Sequence, residues 1–189
     1  MKDKVKTDPL FTVIEFAVRA HAGQFRKGTS VPYIVHPFAV GRILAVAGCA
    51  QELVIAGFLH DTVEDTTVTL DEIRKRFGDR VARLVCAVTE SDRSAPWRQR
   101  KQETLDKLRC ADDDVLMLAL ADKIDNMRSI RNFLRREGEE LWERFNRPRA
   151  DQAWYFRSLA SCFRERVHRT PASDLLPEFI QLVDAVFPQ

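Results

Sequence analysis

The segment FLHDTVEDT, Phe58 to Thr66, places His60, Asp61, Glu64 and Asp65 at the end of an apolar run, QELVIAGFL. One histidine and three carboxylates this close can do two kinds of chemistry: they can hold a cation and they can move protons. At about 100° per residue a helix sets His60 and Glu64 one turn apart on one face. Asp61 and Asp65 repeat that relation one step around, so all four can face a common cleft. Val54, Ile55, Phe58 and Leu59 bury the same helix, which favours a preorganised group.

A second cluster lies in LALADKIDNMRSI, where Asp122, Asp125 and Asn126 interrupt Leu118, Ala119, Ala121, Ile124 and Met127. Asp122 and Asn126 share a helix face. An acid among apolar helix positions is costly to bury without a partner, and a metal is one such partner. His36 stands apart, after PYIV and directly before Pro37. Two histidines and two aspartates make a mixed nitrogen and oxygen set. Such a set suits manganese, iron or zinc better than calcium, which takes oxygen alone. Glu64 and Asp65 are then left to orient or deprotonate water that a metal has acidified.

These groups need elements to position them, and the pattern is helical throughout. Asp8-Pro9 reads as an N-cap and first-turn proline for a helix to about Ala22. GQFRKGTSVPYIV, broken by Gly23, Gly28 and Pro32, reads as a loop. His36-Pro37 opens a second helix, and a third runs from about Gln51 to Asp65. Thr69 and Glu72 form a capping box for DEIRKRFG, which stops at Gly78. RVARLVCAVTE is a fifth helix, ended by ESDRSAP, and another covers about Trp97 to Arg109. Asp112, Asp113 and Asp114 lead into VLMLALADKIDNMRSI, where acids suit a helix start. Further helices are expected near Glu137 to Phe145, Arg149 to His168 and Asp174 to Phe187. TVTL is too short to count as a strand. The expectation is one all-α domain over residues 1–189, a bundle of about eight to ten helices.

The 189 residues are 45% hydrophobic, enough for a core, and 30 basic residues balance 28 acidic ones. A net +2 makes no electrostatic case for nucleic acid or a membrane as partner. The basic runs RQRK (Arg98 to Lys101) and RPR (Arg147 to Arg149) read as solvated helix faces or as part of a site. Cys49, Cys86, Cys110 and Cys162 form no C-x-x-C pair, which argues against structural zinc and for free thiols in a reducing compartment. MKDKVKTDPL carries no apolar signal region, and no run approaches the ~20 residues of a membrane span. The expected location is cytoplasmic, and a homo-oligomer is compatible with the sequence.

HDTVEDT resembles the signature of HD-domain hydrolases of the RelA/SpoT type, and more closely that of the small alarmone hydrolases. Three more blocks carry the likeness in order: AHAGQFRKGTSVPYIVHPFAV (Ala20 to Val40), LADKIDNMRSI (Leu120 to Ile130) and AWYFRSL (Ala153 to Leu159). The resemblance implies an all-α HD fold and one manganese ion held by His36, His60, Asp61 and Asp122. It implies Glu64 and Asp65 as the acid/base pair and Asn126 as their support. It implies hydrolysis of the 3′-diphosphate of guanosine tetra- or pentaphosphate (ppGpp, pppGpp), leaving GDP or GTP and pyrophosphate. A polyanionic substrate needs cations. Arg26 would stack on the base, with Lys27, Lys101 and Arg128 near phosphates or nucleoside, and Tyr155 on a phosphate or ribose. Trp97, Trp142 and Trp154 read as packing.

The chain departs from the pattern where the small hydrolases often carry an arginine shortly before the tyrosine of the fourth block. Here Asp151 stands one turn before Tyr155, and the nearest arginines are Arg147 and Arg149. No synthetase or regulatory domain is expected. Two alternatives stand beside the first reading: a phosphohydrolase of another phosphorylated nucleotide such as NADPH, and a non-catalytic nucleotide-binding protein on the same scaffold.

Overall fold

The computed structural model describes residues 8–90, 94–169 and 171–188. It is all-α, with helices α1 (Pro9–Ala20), α2 (Val35–Val46), α3 (Gln51–Leu59), α4 (Thr62–Asp65), α5 (Leu70–Phe77), α6 (Asp79–Val88), α7 (Trp97–Cys110), α8 (Asp113–Glu137), α9 (Arg149–Arg166) and α10 (Ala172–Val186). The expected break at ESDRSAP falls partly on residues 91–93, outside the described residues. The one backbone bridge outside the helices, among the described residues, joins Phe25 to Pro32 and pinches the loop before α2.

Local chemistry starts the helices where it should. Asp8 accepts from Leu10 N at 2.8 Å, Thr69 from Glu72 N at 3.2 Å and Asp112 from Val115 N at 2.9 Å. Each side chain satisfies a backbone donor that a helix start leaves open. Glu72, expected to complete a capping box, pairs instead with Arg76 at 3.0 Å.

α8 is the central element. Residues Val115 to Ala121 are buried without a break, and Ile124, Met127 and Ile130 continue the buried stripe. α10, α2, α6 and α9 pack around it. α2 and α3 approach through glycine: a Cβ on Gly41 would stand 2.6 Å from the Phe58 ring, and one on Gly57 3.1 Å from the Gly41 Cα. That approach sets the start of α2, with His36, beside the end of α3, with His60.

Two expectations are corrected here. Gln51 to Asp65 is not one helix: α3 ends at Leu59, and His60 and Asp61 form a junction before α4. The Thr62 hydroxyl donates to Leu59 O at 2.7 Å and His60 Nδ1 to Gly57 O at 2.9 Å, so side chains replace two backbone bonds there. Glu137 to Phe145 is not an α-helix. α8 runs on to Glu137, Gly138 takes a left-handed φ of 65°, and a 3₁₀ segment covers Gly138–Arg144. No helix among the described residues is long and apolar enough to cross a membrane.

Candidate active site

Three parts of the fold meet at one point. α2 contributes His36 in its first turn, the α3–α4 junction contributes His60 and Asp61, and α8 contributes Asp122 from its middle. Ligand atoms of His36, His60 and Asp122 lie within 4.8 Å of one another. His36 Nε2 is 3.2 Å from Asp122 Oδ1 and 3.4 Å from Asp61 Oδ2. His60 Nε2 is 3.1 Å from Asp61 Oδ2 and 3.8 Å from Asp122 Oδ1. Both histidines are buried, at 3% and 4% exposure.

The far nitrogen of each ring is already engaged. His60 Nδ1 donates to Gly57 O at 2.9 Å, and His36 Nδ1 to Asp125 Oδ2 at 2.6 Å. The Nε2 atoms therefore face the carboxylates. His60 Nε2 is fully buried and makes no aligned hydrogen bond among the described residues. A buried polar atom with no aligned hydrogen bond is costly, and a cation between these four side chains would satisfy it. Neutral Nε2 with carboxylate oxygen is a donor set for a divalent metal.

Without a cation, these groups act on one another. Burial works against a protonated imidazole, yet hydrogen bonds to Asp122, Asp125 and Asp61 raise the His36 pKa well above the ordinary value. His60 is likewise raised, with Asp61 outweighing burial. Burial opposes charge on Asp122 as well, but Lys123, His36 and His60 hold it below the usual carboxylate range. Tyr33 donates to Asp61 Oδ2 at 2.6 Å, and burial with the Asp61 charge pushes its hydroxyl far up, so it stays a donor.

Glu64 and Asp65 flank the cluster from α4. Burial, with the charges of Glu90, Asp61 and Asp65, raises the Glu64 pKa despite a hydrogen bond from Glu90 N at 3.1 Å. A carboxylate raised in this way can take a proton nearer neutrality. Asp65 Oδ2 lies 3.3 Å from Tyr33 Oη, and its backbone carbonyl accepts from Gln24 at 2.7 Å. Asn126 donates to Asp122 Oδ1 at 2.6 Å.

The cluster opens into a cavity of about 660 Å³ lined by Glu64, Asp65, Lys101, Lys123, Asn126 and Tyr155 among others. A second cavity, about 330 Å³, shares Tyr33, His36, Lys101, Lys123, Asn126 and Tyr155 with it and adds Arg26, Lys27, Arg144 and aromatic rings. Together they make a channel that is acidic at the histidines and cationic beyond them.

Arg26 donates to Asp125 Oδ2 at 3.0 Å and sits in the second cavity. Lys27 is there too, bonded to Asn146. Lys101 turns inward to Glu90 beside Arg100, so half of the RQRK run leaves the solvated face; its Nζ also lies 5.2 Å over the Tyr155 ring. Tyr155 is buried between the cavities, its ring 6.1 Å from Trp97, which lines the second cavity rather than only packing. Arg128 is not brought to the site. It lines neither cavity, and its guanidinium is clamped on Glu178 of α10 at 2.7 and 2.9 Å. The reason is helical: two residues beyond Asn126 is about 200° around the axis.

Five residues in the site had no role assigned from the sequence alone: Tyr33, Glu90, Lys123, Asp125 and Arg144. Lys123, at 2.7 Å from Asp122 Oδ2, carried the clearest signal, a cation adjoining a buried acid. Arg144, from the 3₁₀ segment, lies against Gly28, where a Cβ would stand 2.6 Å from its Cδ. It is the cavity-lining arginine near the fourth block. Arg149 instead reaches Glu139 and Val186 O, and Asp151 lies 3.9 Å from Arg98.

A family model described as HD domain matches residues 14–151. GTP pyrophosphokinase of Streptomyces coelicolor is 42% identical over 143 residues, covering 72% of this chain and 17% of that protein. Human guanosine-3′,5′-bis(diphosphate) 3′-pyrophosphohydrolase is 40% identical over 124 residues, 64% of this chain and 69% of that one. The chain thus spans only 17% of the bacterial relative's length. Among solved structures, lmo0812 of Listeria monocytogenes superposes with a TM-score of 0.75 at 37% identity, over 82% of this chain and 99% of that one. A metazoan ortholog of SpoT, described as hydrolysing ppGpp, superposes at 0.72 with 26% identity, over 90% and 93%.

Proposed function

This chain belongs to the HD-domain family, and from that premise we propose that it is a manganese-dependent hydrolase of ppGpp and pppGpp. It removes the 3′-diphosphate as pyrophosphate and leaves GDP or GTP. The observation that carries the reading is the juxtaposition of the His36, His60 and Asp122 cluster with a cation-lined channel. The name of the human relative and the description of the metazoan structure support the substrate.

His36, His60, Asp61 and Asp122 would hold the metal. When bound, a divalent ion supplies charge neutralisation at a phosphoryl group and acidifies water. Glu64 and Asp65 orient the attacking water and accept its proton, a role that the raised Glu64 pKa suits. Water adds to the phosphorus borne by the 3′-oxygen, the bond between them breaks, and the 3′-oxygen takes up a proton. Lys101 and Lys123 offset the phosphate charge. Arg26 presents a planar guanidinium to the base, and Lys27, Arg144 and Tyr155 complete the nucleoside side of the channel.

The test is to incubate the protein with ppGpp and Mn²⁺ and resolve the products by chromatography, with pppGpp and NADPH in parallel. Pyrophosphate and GDP are the expected products. Intact ppGpp, or phosphate from NADPH at far higher rates, overturns the substrate assignment. Asp65→Ala is expected to abolish turnover while Mn²⁺ stays bound; retained activity removes Asp65 from its role.

A further inference from the structure

We propose that Asp125 is a positioning residue that ties the substrate-side loop to the metal-side histidine. It lies on α8, three residues after Asp122. A single oxygen, Oδ2, accepts from His36 Nδ1 at 2.6 Å and from Arg26 Nη1 at 3.0 Å. The Asp125 and Arg26 side chains are each only 14% exposed, so the shared contact is sheltered from solvent.

The two histidines are held by different means. His60 rests on a backbone carbonyl, whereas His36 rests on a carboxylate. A carboxylate on the far nitrogen of a ligating histidine fixes its tautomer and ring orientation and strengthens it as a donor. With Nδ1–H committed to Asp125, His36 directs Nε2 at Asp61 and Asp122. The same carboxylate anchors Arg26, whose second nitrogen approaches Asn126 Oδ1 at 3.4 Å. Arg26 comes from the loop before α2, and that loop has no helix of its own to fix a long side chain. Removing Asp125 therefore loosens the metal side and the substrate side together. The inference rests on the reading above of His36 as a metal ligand and Arg26 as a nucleoside contact.

The experiment titrates Mn²⁺ into metal-free protein by calorimetry and separately measures KM and kcat for ppGpp. Asp125→Ala is expected to weaken Mn²⁺ binding by roughly 10- to 100-fold, the usual cost of losing such a partner. Asp125→Asn keeps an acceptor for His36 Nδ1 but loses the ion pair with Arg26. Its expected signature is a smaller loss of metal affinity with a several-fold rise in KM. Excess Mn²⁺ should restore kcat in both variants, which a role in the chemical step would not allow. Mn²⁺ affinity of Asp125→Ala within about twofold of wild type overturns the proposal. If that variant does not fold, an unchanged KM in Asp125→Asn overturns it instead. Wild-type protein that binds no Mn²⁺ overturns the metal reading itself, an outcome distinct from the other two.

Discussion

The Gly41 Cα lies 3.1 Å from where a Cβ on Gly57 would stand. This contact between α2 and α3 is backbone against backbone, and no rotamer change can relieve it. Gly57→Val would force the helices apart and crowd Leu44, whose Cδ1 lies 2.6 Å from the same point. The expected cost is about 1–3 kcal/mol of stability, read by urea denaturation. Because the contact also sets the separation of His36 and His60, Mn²⁺ affinity should fall with it.

His60 offers a direct reading of metal binding. Its Nε2 is buried in the cluster without an aligned hydrogen bond, and His60→Ala removes it. Saturating Mn²⁺ should raise the melting temperature of the wild type. At a hundred times the dissociation constant the gain is about 2.7 kcal/mol. His60→Ala should show little of that rise by differential scanning calorimetry, and chelator treatment of the wild type should reverse it.

The pH dependence has a definite sign. His36 and His60 both have raised pKa values in the metal-free protein. Their contribution to metal-free stability is complete below the ordinary histidine value of about 6.5 and is lost as pH rises through the raised values. Coordination needs both Nε2 atoms deprotonated, so metal uptake releases protons. Mn²⁺ affinity should therefore climb as pH rises through the raised histidine values and level off beyond them, and the melting-temperature gain from Mn²⁺ should climb with it. Calorimetry in buffers of different ionisation enthalpy counts the released protons, and a pH-independent affinity would refute this.

Lys101 lines both cavities and is held low in pKa by burial and by Lys123. Lys101→Met should leave the fold intact, because Arg100 still pairs with Glu90. Loss of one charged contact of about 1.5–3 kcal/mol should lower kcat/KM for ppGpp roughly 10- to 100-fold. Initial rates across a substrate series would measure it.

Much of the local architecture was legible in advance. Caps at Asp8 and Thr69 depend on a side chain and a backbone donor a few residues away, so chain order alone decides them, and the acids read as a helix start include Asp112, which caps α8. Residue types suggested a cation site, the family resemblance named His36, His60 and Asp122 within it, and the fold brings their ligand atoms within 4.8 Å of one another. The break at His60 and Asp61 was not legible. An apolar run of helix formers leads into it, and the bonds that end α3 are made by the side chains of Thr62 and His60 once the junction has folded.

Only tertiary structure decided which long side chains reach the site. Periodicity assigns a helix face, but not what packs on it. Arg128 met Glu178 on α10, fifty residues away, and was drawn off. Arg26 met Asp125, ninety-nine residues away, and was drawn in. Arg26 and Asp125 are sheltered, and leaving a charge unpaired there costs more than the entropy of holding it, whereas Arg128 and Glu178 are about a third exposed and meet because α10 packs along α8. Sequence supplied the ionisable groups, and the packing of α2, α3, α8 and α10 chose their partners.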